Sequence, residues 1–181
     1  MLTPTLKDPI DLHHKLERER YRAFHSQNPL HKADHLYNFC VTALSARDYL
    51  FESLGWNDSQ KEQFSKTWNQ KAVCVACSEI ANSSKHCYIR DRKTQCIKNP
   101  KTKSVTSGVS SIVDIYEARD GSLHTEQKDD NPDFDIVLAD GSIVQVYEFT
   151  ESIIRFWRQL LIDHGFKCSE QSFNDLSGAT T

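Results

Sequence analysis

One long apolar stripe constrains the fold of this chain more than any other feature. Between residues 31 and 54 apolar side chains recur every three or four positions, and Gly55 follows them: Leu36, Phe39, Cys40, Ala43, Leu44 and Leu50. This spacing predicts a long α-helix that buries one face and ends at a glycine cap. A mainly helical core is the first expectation.

Further helices are predicted on both sides of it. Residues 11–25 form a charged amphipathic pattern that stops near Asn28-Pro29. The Asn57-Asp-Ser sequence opens a third helix, and a fourth helical segment continues from about 68 to 90. Residues 150–164 form a last helix, closed by Gly165. The sequence therefore predicts four helices and one closing helix.

The helical periodicity is interrupted after residue 90. A β-branched run at 109–116 and shorter runs at 134–138 and 143–147 predict three strands, the last two joined by a hairpin at Asp140-Gly141. We expect an α+β fold, mainly α: a four- to five-helix bundle with a small three-stranded antiparallel β-meander before the last helix. Residues 1–10 are predicted as a tail, 11–165 as one domain with the meander at about 109–148, and 166–181 as a flexible tail.

Composition places the chain among ordinary globular proteins. The net charge of −3 excludes a protein that is basic overall, so a nucleic-acid surface would have to be local. The first residues lack the apolar stretch of a signal peptide, and no run approaches the roughly 18 apolar residues of a membrane span. We expect a cytoplasmic protein with six free thiols, no membrane contact and no cofactor.

Charge is unevenly distributed along the second half. Residues 85–103 hold seven basic residues and one acidic residue, a local charge of +6, whereas residues 114–135 carry −6. The two stretches are either solvated faces or complementary to each other. Alternatively, the basic stretch forms a strip that contacts phosphates, in which Lys85, Arg90, Arg92 and Lys93 bind nucleic acid.

Two groups of residues have the side-chain types that bind metals, and each group also has a simpler interpretation. Cys74, Cys77, His86 and Cys87 are the residue types of a structural zinc site. The first two lie inside an amphipathic helix, where small cysteines fill a core, so no metal site is predicted. His31 and His35 are one helical turn apart without the glutamate of a metalloprotease motif, and isolated exposed histidines are the simpler interpretation, for His13, His14 and His25 as well.

Nuclease chemistry has several weak signals and one more specific signal. Arg20 with His25, and Arg158 with His164, pair a cation with an imidazole at helical spacing. Asn82 and His86 are four residues apart, so a helix would place them on one face beside Lys85. A polar helix end that caps or bridges its neighbours is the other interpretation of that segment.

The order of elements and the Asn82-Ser-Ser-Lys85-His86 segment resemble uncharacterised bacterial and prophage proteins with an Asn-x-x-Lys-His signature, themselves similar to divergent members of the HEPN superfamily. The resemblance covers residues 30–165. It implies a helical bundle that often dimerises, in toxin–antitoxin or phage-defence settings. Active members cleave RNA without metal through an Arg-polar-x(4–6)-His motif. Here Asn82 stands in the place of that arginine, which leaves Lys85 as the substitute cation or the fold as degenerate.

Three functions follow as hypotheses. The first is a non-catalytic, HEPN-like binding or interaction module in a bacterial defence, toxin–antitoxin or prophage context, in contact with RNA or with a bacterial or phage protein. The second is a metal-independent endoribonuclease in which His86 is the general acid/base, Lys85 stabilises the phosphorane and Asn82 orients the phosphate. The third is an acidic inhibitor whose 114–135 surface mimics nucleic acid.

Overall fold

The protein has an α+β architecture, mainly α, with five helices and a three-stranded antiparallel sheet that precedes the last helix, in the part of the chain described by the computed structural model, residues 6–83, 100–110, 113–127 and 131–168. The helices are α1 (Pro9–His25), α2 (Pro29–Ser53), α3 (Asp58–Asn69), α4 (Ala72–Ser83) and α5 (Val146–Asp163). The strands are β1 (Ser104–Ser110), β2 (Val113–Glu117), β3 (Leu123–Gln127), β4 (Asn131–Val137) and β5 (Ile143–Gln145). The predicted fold class is confirmed.

The helices begin where the sequence carries capping residues. The side chain of Asp8 accepts from the Asp11 amide at the start of α1, and Asn28 caps α2. Asn57 and Gln60 form a reciprocal capping box at the start of α3. Because Pro9 is already the first helical residue and is buried, α1 begins within the segment that the sequence predicted as a tail.

The core lies along the predicted stripe of α2. Phe39, Cys40, Ala43 and Leu50 are fully buried, covered by α1 on one side and α4 on the other. α5 packs against the same core with its own buried stripe, which consists of Val146, Phe149, Thr150, Ile153, Ile154, Trp157 and Leu161. Burying one such large apolar side chain contributes about 1.5–3 kcal/mol, so this layer supplies most of the stabilisation.

The sheet has the strand order β1-β4-β5, with both pairs antiparallel. The Asp140-Gly141 turn joins β4 to β5 as predicted, and Gly141 has a φ of 90°, which a glycine adopts without steric cost. Between β1 and β4 the chain forms a second antiparallel hairpin, β2–β3, which belongs to a separate two-stranded sheet.

Several predicted boundaries differ from the structure. The run at 109–116 is divided: Val109 lies near the end of β1, which runs to Ser110, whereas Val113 begins β2 in the other sheet. β3 lies in the acidic stretch that carried no strand prediction, because its residues bury no apolar face that alternation could indicate. α5 begins at Val146 instead of residue 150, since Val146 and Phe149 continue the buried helical stripe toward the N-terminus.

Polar contacts attach the sheet to the helices. Lys32 of α2 is fully buried; its Nζ donates to the Phe24 carbonyl at 2.9 Å and lies 3.9 Å from Asp133 Oδ1 of β4. Asn131 Nδ2 donates to the same carbonyl at 3.1 Å. These contacts fix β4 beside the end of α1. No helix in the described ranges is both long and apolar enough to cross a membrane.

Candidate binding groove and the Asn82 pocket

The predicted phosphate-binding residues fall mainly outside the described part of the chain. Lys85, His86, Arg90, Arg92 and Lys93 all belong to residues 84–99, so their predicted roles stay predictions. Asn82 is described and lies in the last turn of α4, half-buried. Its Nδ2 donates to the Ser78 carbonyl at 2.7 Å. This bond within its own helix is typical of the polar helix end that was the simpler interpretation.

The cysteines of α4 are core residues. Cys74 and Cys77 are both fully buried, and Cys77 Sγ lies 3.9 Å from the Cys40 carbonyl. Burial raises the pKa of Cys74 to about 12 and also raises the pKa of Cys77, so both thiols stay protonated at neutral pH. Within the described residues no group of three or more His, Cys, Asp and Glu side chains is placed to hold a metal ion. His86 and Cys87 lie outside that part.

The histidines occupy different environments, and the expectation that they are all exposed is wrong for His13. That ring is buried beside Glu17 and Arg158, and burial, followed by the Arg158 charge, lowers its pKa to about 4. His13 is therefore neutral at pH 7. His35 Nδ1 contacts Glu19 Oε2 at 2.9 Å, whereas His31 is exposed at the start of α2.

The two helical arginine–histidine pairs do not form joint sites. Arg158 Nη2 donates to Glu17 Oε1 of α1 at 3.0 Å, while the His164 ring contacts Trp56, with ring centroids 5.2 Å apart. Residues six apart are separated by about 120° around a helix, which sends the two side chains to different neighbours. Arg20 likewise binds Glu151, and His25 lies against Tyr21.

The acidic stretch is divided between surface and interior. Glu117, Asp120 and Glu126 are exposed on the β2–β3 hairpin, whereas Asp133 is buried against Lys32. The acidic surface available to a partner is therefore smaller than the sequence indicates.

An aromatic layer between α3 and α5 is the main feature that sequence reasoning missed. Phe64 and Trp68 lie one turn apart on α3 and contact Phe156 and Trp157 of α5, with ring centroids 5.2–6.1 Å apart. Such offset and edge-on pairs add about 0.5–1.5 kcal/mol each beyond their burial. The four-residue spacing on α3 and the adjacent aromatics on α5 were the available signal.

Above this layer the surface has a groove of about 840 Å³, which we call the α3/α5 groove. Its apolar floor consists of Trp56, Phe64, Phe156 and Leu160. Amides, hydroxyls and charges form its rim: Gln60, Gln63, Thr67, Lys71, Ser152, Arg155, Gln159, Asp163 and His164. An apolar floor with a few convergent polar groups is the usual composition of a ligand site.

A smaller cavity of about 250 Å³, the Asn82 pocket, shares Phe64 with the groove. Arg47 of α2, Ser78 and Asn82 of α4 and both tryptophans of the aromatic layer line it. Trp68 Nε1 donates to Ser78 Oγ at 2.8 Å, whereas the buried Trp157 Nε1 has no acceptor among the described residues. Arg47 is the one cation among the described residues that line this pocket with Asn82, and the sequence did not single it out.

Among the described residues that line the two cavities, Asp163 and His164 of the groove are of the types that often transfer protons in enzymes. Asp163 Oδ1 accepts from Gln159 Nε2 at 2.7 Å, and the ring of His164 contacts Trp56.

The fold and these cavities define the class as an α+β protein, mainly α, with an aromatic surface groove. Comparison with known proteins adds no family: no family model, no curated protein and no solved structure matches the chain.

Proposed function

We propose that the protein is a non-catalytic binding module that holds single-stranded RNA in the α3/α5 groove. The observation that carries this proposal is the composition of the groove: an aromatic floor, three glutamine side chains, and the cations of Lys71 and Arg155. Aromatic rings stack with bases, amides bond to base edges, and cations contact phosphates, which is the usual chemistry of single-strand binding.

The charges of the groove set a limit on its affinity. The groove lining holds one acidic residue, Asp163, besides Lys71 and Arg155, and Arg155 also bonds to Glu151 at 2.8 Å. Phosphate contacts supply much of the affinity for nucleic acid, so this rim alone would bind RNA weakly. In this proposal the basic stretch at 85–103, with Arg90, Arg92 and Lys93, supplies the remaining phosphate contacts.

The wider context of the proposal is the one that the sequence resemblance implies. The module would act in the cytoplasm, in a bacterial defence, toxin–antitoxin or prophage setting, as a HEPN-like protein without catalysis. The endoribonuclease with Lys85 and His86 is the alternative. In that alternative Asn82 would orient the phosphate. The hydrogen bond from Asn82 to the Ser78 carbonyl counts against this role, because it uses an amide hydrogen that would otherwise face a phosphate.

Fluorescence anisotropy of a labelled single-stranded RNA of mixed sequence, in EDTA and over a series of salt concentrations, tests the proposal. Arg155→Ala should weaken binding several-fold. Lys66→Ala is the matched control, because Lys66 is an exposed α3 cation outside the groove lining. Neutralising Arg90, Arg92 and Lys93 together should reduce the slope of log K against log salt by about 2.

Each result has a defined meaning. Equal affinities for the Arg155→Ala and Lys66→Ala variants would remove the groove from the proposal, and no RNA binding at low salt would overturn the function itself. Gel analysis of the same samples tests the alternative: cleavage that persists in EDTA and disappears in a His86→Ala variant of unchanged stability would establish a ribonuclease.

A further inference from the structure

In the described part of the chain β1 is an edge strand of the three-stranded sheet. It pairs with β4 on one side, and among the described residues no other strand pairs with it. An edge strand presents a row of unpaired backbone donors and acceptors, which natural proteins protect with charges, prolines, bulges or a covering element. The sequence of β1, Ser-Val-Thr-Ser-Gly-Val-Ser, contains neither a charged residue nor a proline.

Both valines of this strand are exposed. Val105 is 43% exposed and Val109 is 60% exposed. They lie four positions apart, so they occupy the same face of the sheet. Val105 also lines a small cavity with Phe134 of β4 and residues of α2, which identifies that face as the helix side. An uncharged edge with two exposed β-branched residues is typical of a strand that pairs with another chain.

The sequence of β1 indicates that the chain it pairs with is a second copy of the protein. The order of residue types is the same from either end, apart from the exchange of Thr106 and Gly108: Ser, Val, x, Ser, x, Val, Ser. If two copies of β1 pair antiparallel about Ser107, Val105 of each copy lies opposite Val109 of the other. Cross-strand pairs of apolar β-branched residues stabilise a sheet, and this register opposes no like charges.

We propose that two copies of the protein dimerise through β1, antiparallel and centred on Ser107. The two-fold axis passes between the paired Ser107 residues and joins the two sheets in the order β5-β4-β1-β1-β4-β5. A two-fold contact uses the same patch on both subunits and closes upon itself. Pairing through β1 therefore stops at the dimer, and the β1 edge of each copy is covered. The interface is independent of the α3/α5 groove and of any function assigned to it.

Charge exchange at the two valine positions tests the register directly. In a Val105→Lys/Val109→Lys variant an introduced lysine lies opposite another at both cross-strand pairs, whereas Val105→Glu/Val109→Lys places opposite charges there. Analytical ultracentrifugation of the full chain, up to millimolar concentration, should show a wild-type dimer. The lysine–lysine variant should dissociate at least about tenfold more readily than the glutamate–lysine variant. Circular dichroism melts confirm that both remain folded.

A disulfide provides a second readout. Ser107 is exposed and lies opposite its own copy, so Ser107→Cys should cross-link the dimer under mild oxidation. Ser122→Cys at the tip of the β2–β3 hairpin is the exposed control, and the wild type controls for native thiols. A monomeric wild type at all concentrations would overturn the proposal. So would a dimer that dissociates equally in both charge variants, or one in which Ser107→Cys cross-links no better than Ser122→Cys.

Discussion

The β2–β3 and β4–β5 hairpins have the same turn and opposite environments. In each, an Asp-Gly-Ser sequence closes the strands, and the serine N–H and Oγ–H both donate to the aspartate Oδ1, at 2.6–3.0 Å. The glycines have φ values of 82° and 90°. Yet every residue of β3 is exposed, whereas β4 buries Ile136 in the core.

The difference separates what a turn specifies from what packing specifies. The aspartate, glycine and serine determine where the chain reverses and in which register the strands pair, wherever the hairpin lies. Attachment to the core depends instead on Asn131, Asp133 and Ile136, which are buried in β4. None of the described side chains of β2 and β3 is buried. An isolated two-stranded hairpin is marginal in water, so we expect β2–β3 to open locally while β4–β5 unfolds only with the whole protein.

The largest predicted contrast concerns one isoleucine from each hairpin. Ile136 is fully buried and Ile115 is 68% exposed. We expect Ile136→Ala to lower the free energy of unfolding by about 2–4 kcal/mol, because it removes buried methyl groups and leaves a cavity. Ile115→Ala should change it by less than about 0.5 kcal/mol. Urea denaturation of both variants measures the difference, and similar losses would show that β2–β3 is part of the cooperative core.

A charge contrast should be somewhat smaller. Asp133→Asn removes the carboxylate beside the buried Lys32 ammonium, which we expect to cost about 2–3 kcal/mol. Glu126→Gln on the exposed β3 should cost less than about 0.5 kcal/mol.

The pH dependence of the Asp133→Asn variant checks the cause. Burial already lowers the pKa of Lys32 below its ordinary 10.5, so the folded state binds fewer protons there than the unfolded state. Stability therefore rises with pH between the folded and unfolded pKa values. The variant, which lacks the opposing carboxylate, should recover part of its loss as the pH rises toward 10.5. A flat difference from wild type would exclude the lysine as the source of the loss.

The same glycine substitution in the two turns should cause a similar local strain but a different loss of stability in the whole protein. Gly141→Ala and Gly121→Ala each force an L-residue to a positive φ at a cost of about 1 kcal/mol. For Gly141 an added Cβ would also lie 3.2 Å from Lys103 Nζ. We expect Gly141→Ala to lower the thermal midpoint, whereas Gly121→Ala should increase only amide hydrogen exchange within β2–β3. A lower midpoint in both would contradict independent opening of that hairpin.

The smallest contrast concerns the turn aspartates. The hydrogen bonds from Ser122 and Ser142 lower the pKa values of Asp120 and Asp140 below 3.8. The stabilisation from each bond is present above the unfolded pKa and is lost as the pH falls through the folded pKa. NMR titration should show Ser122→Ala raising only the pKa of Asp120, and Ser142→Ala only that of Asp140. Of these two aspartates, only Asp140 should contribute to the effect of acid on global unfolding.

Sequence reasoning predicted the helical elements and the β4–β5 turn, because their signals are local. Asn57 with Gln60, the stripe of α2 and Gly141 act within a few residues of themselves. Of the residues that line the described cavities it singled out Asn82 and His164, but not Arg47 or the tryptophan layer, because these side chains come from α2, α3 and α5 and meet only in the folded chain. Sequence reasoning also used only the second of the two Asp-Gly-Ser turns, which lie 20 residues apart.

By itself, the sequence determined the helices, the hairpin turns and the identity of the apolar stripe, since capping bonds, glycine φ values and helical periodicity depend on neighbouring residues. Tertiary structure alone decided that Lys32 meets Asp133, that Arg158 faces Glu17 and not His164, and that one of two similar hairpins joins the core. These outcomes depend on which faces come together when helices and strands pack, and burial then determines which charges must pair and which thiols stay protonated.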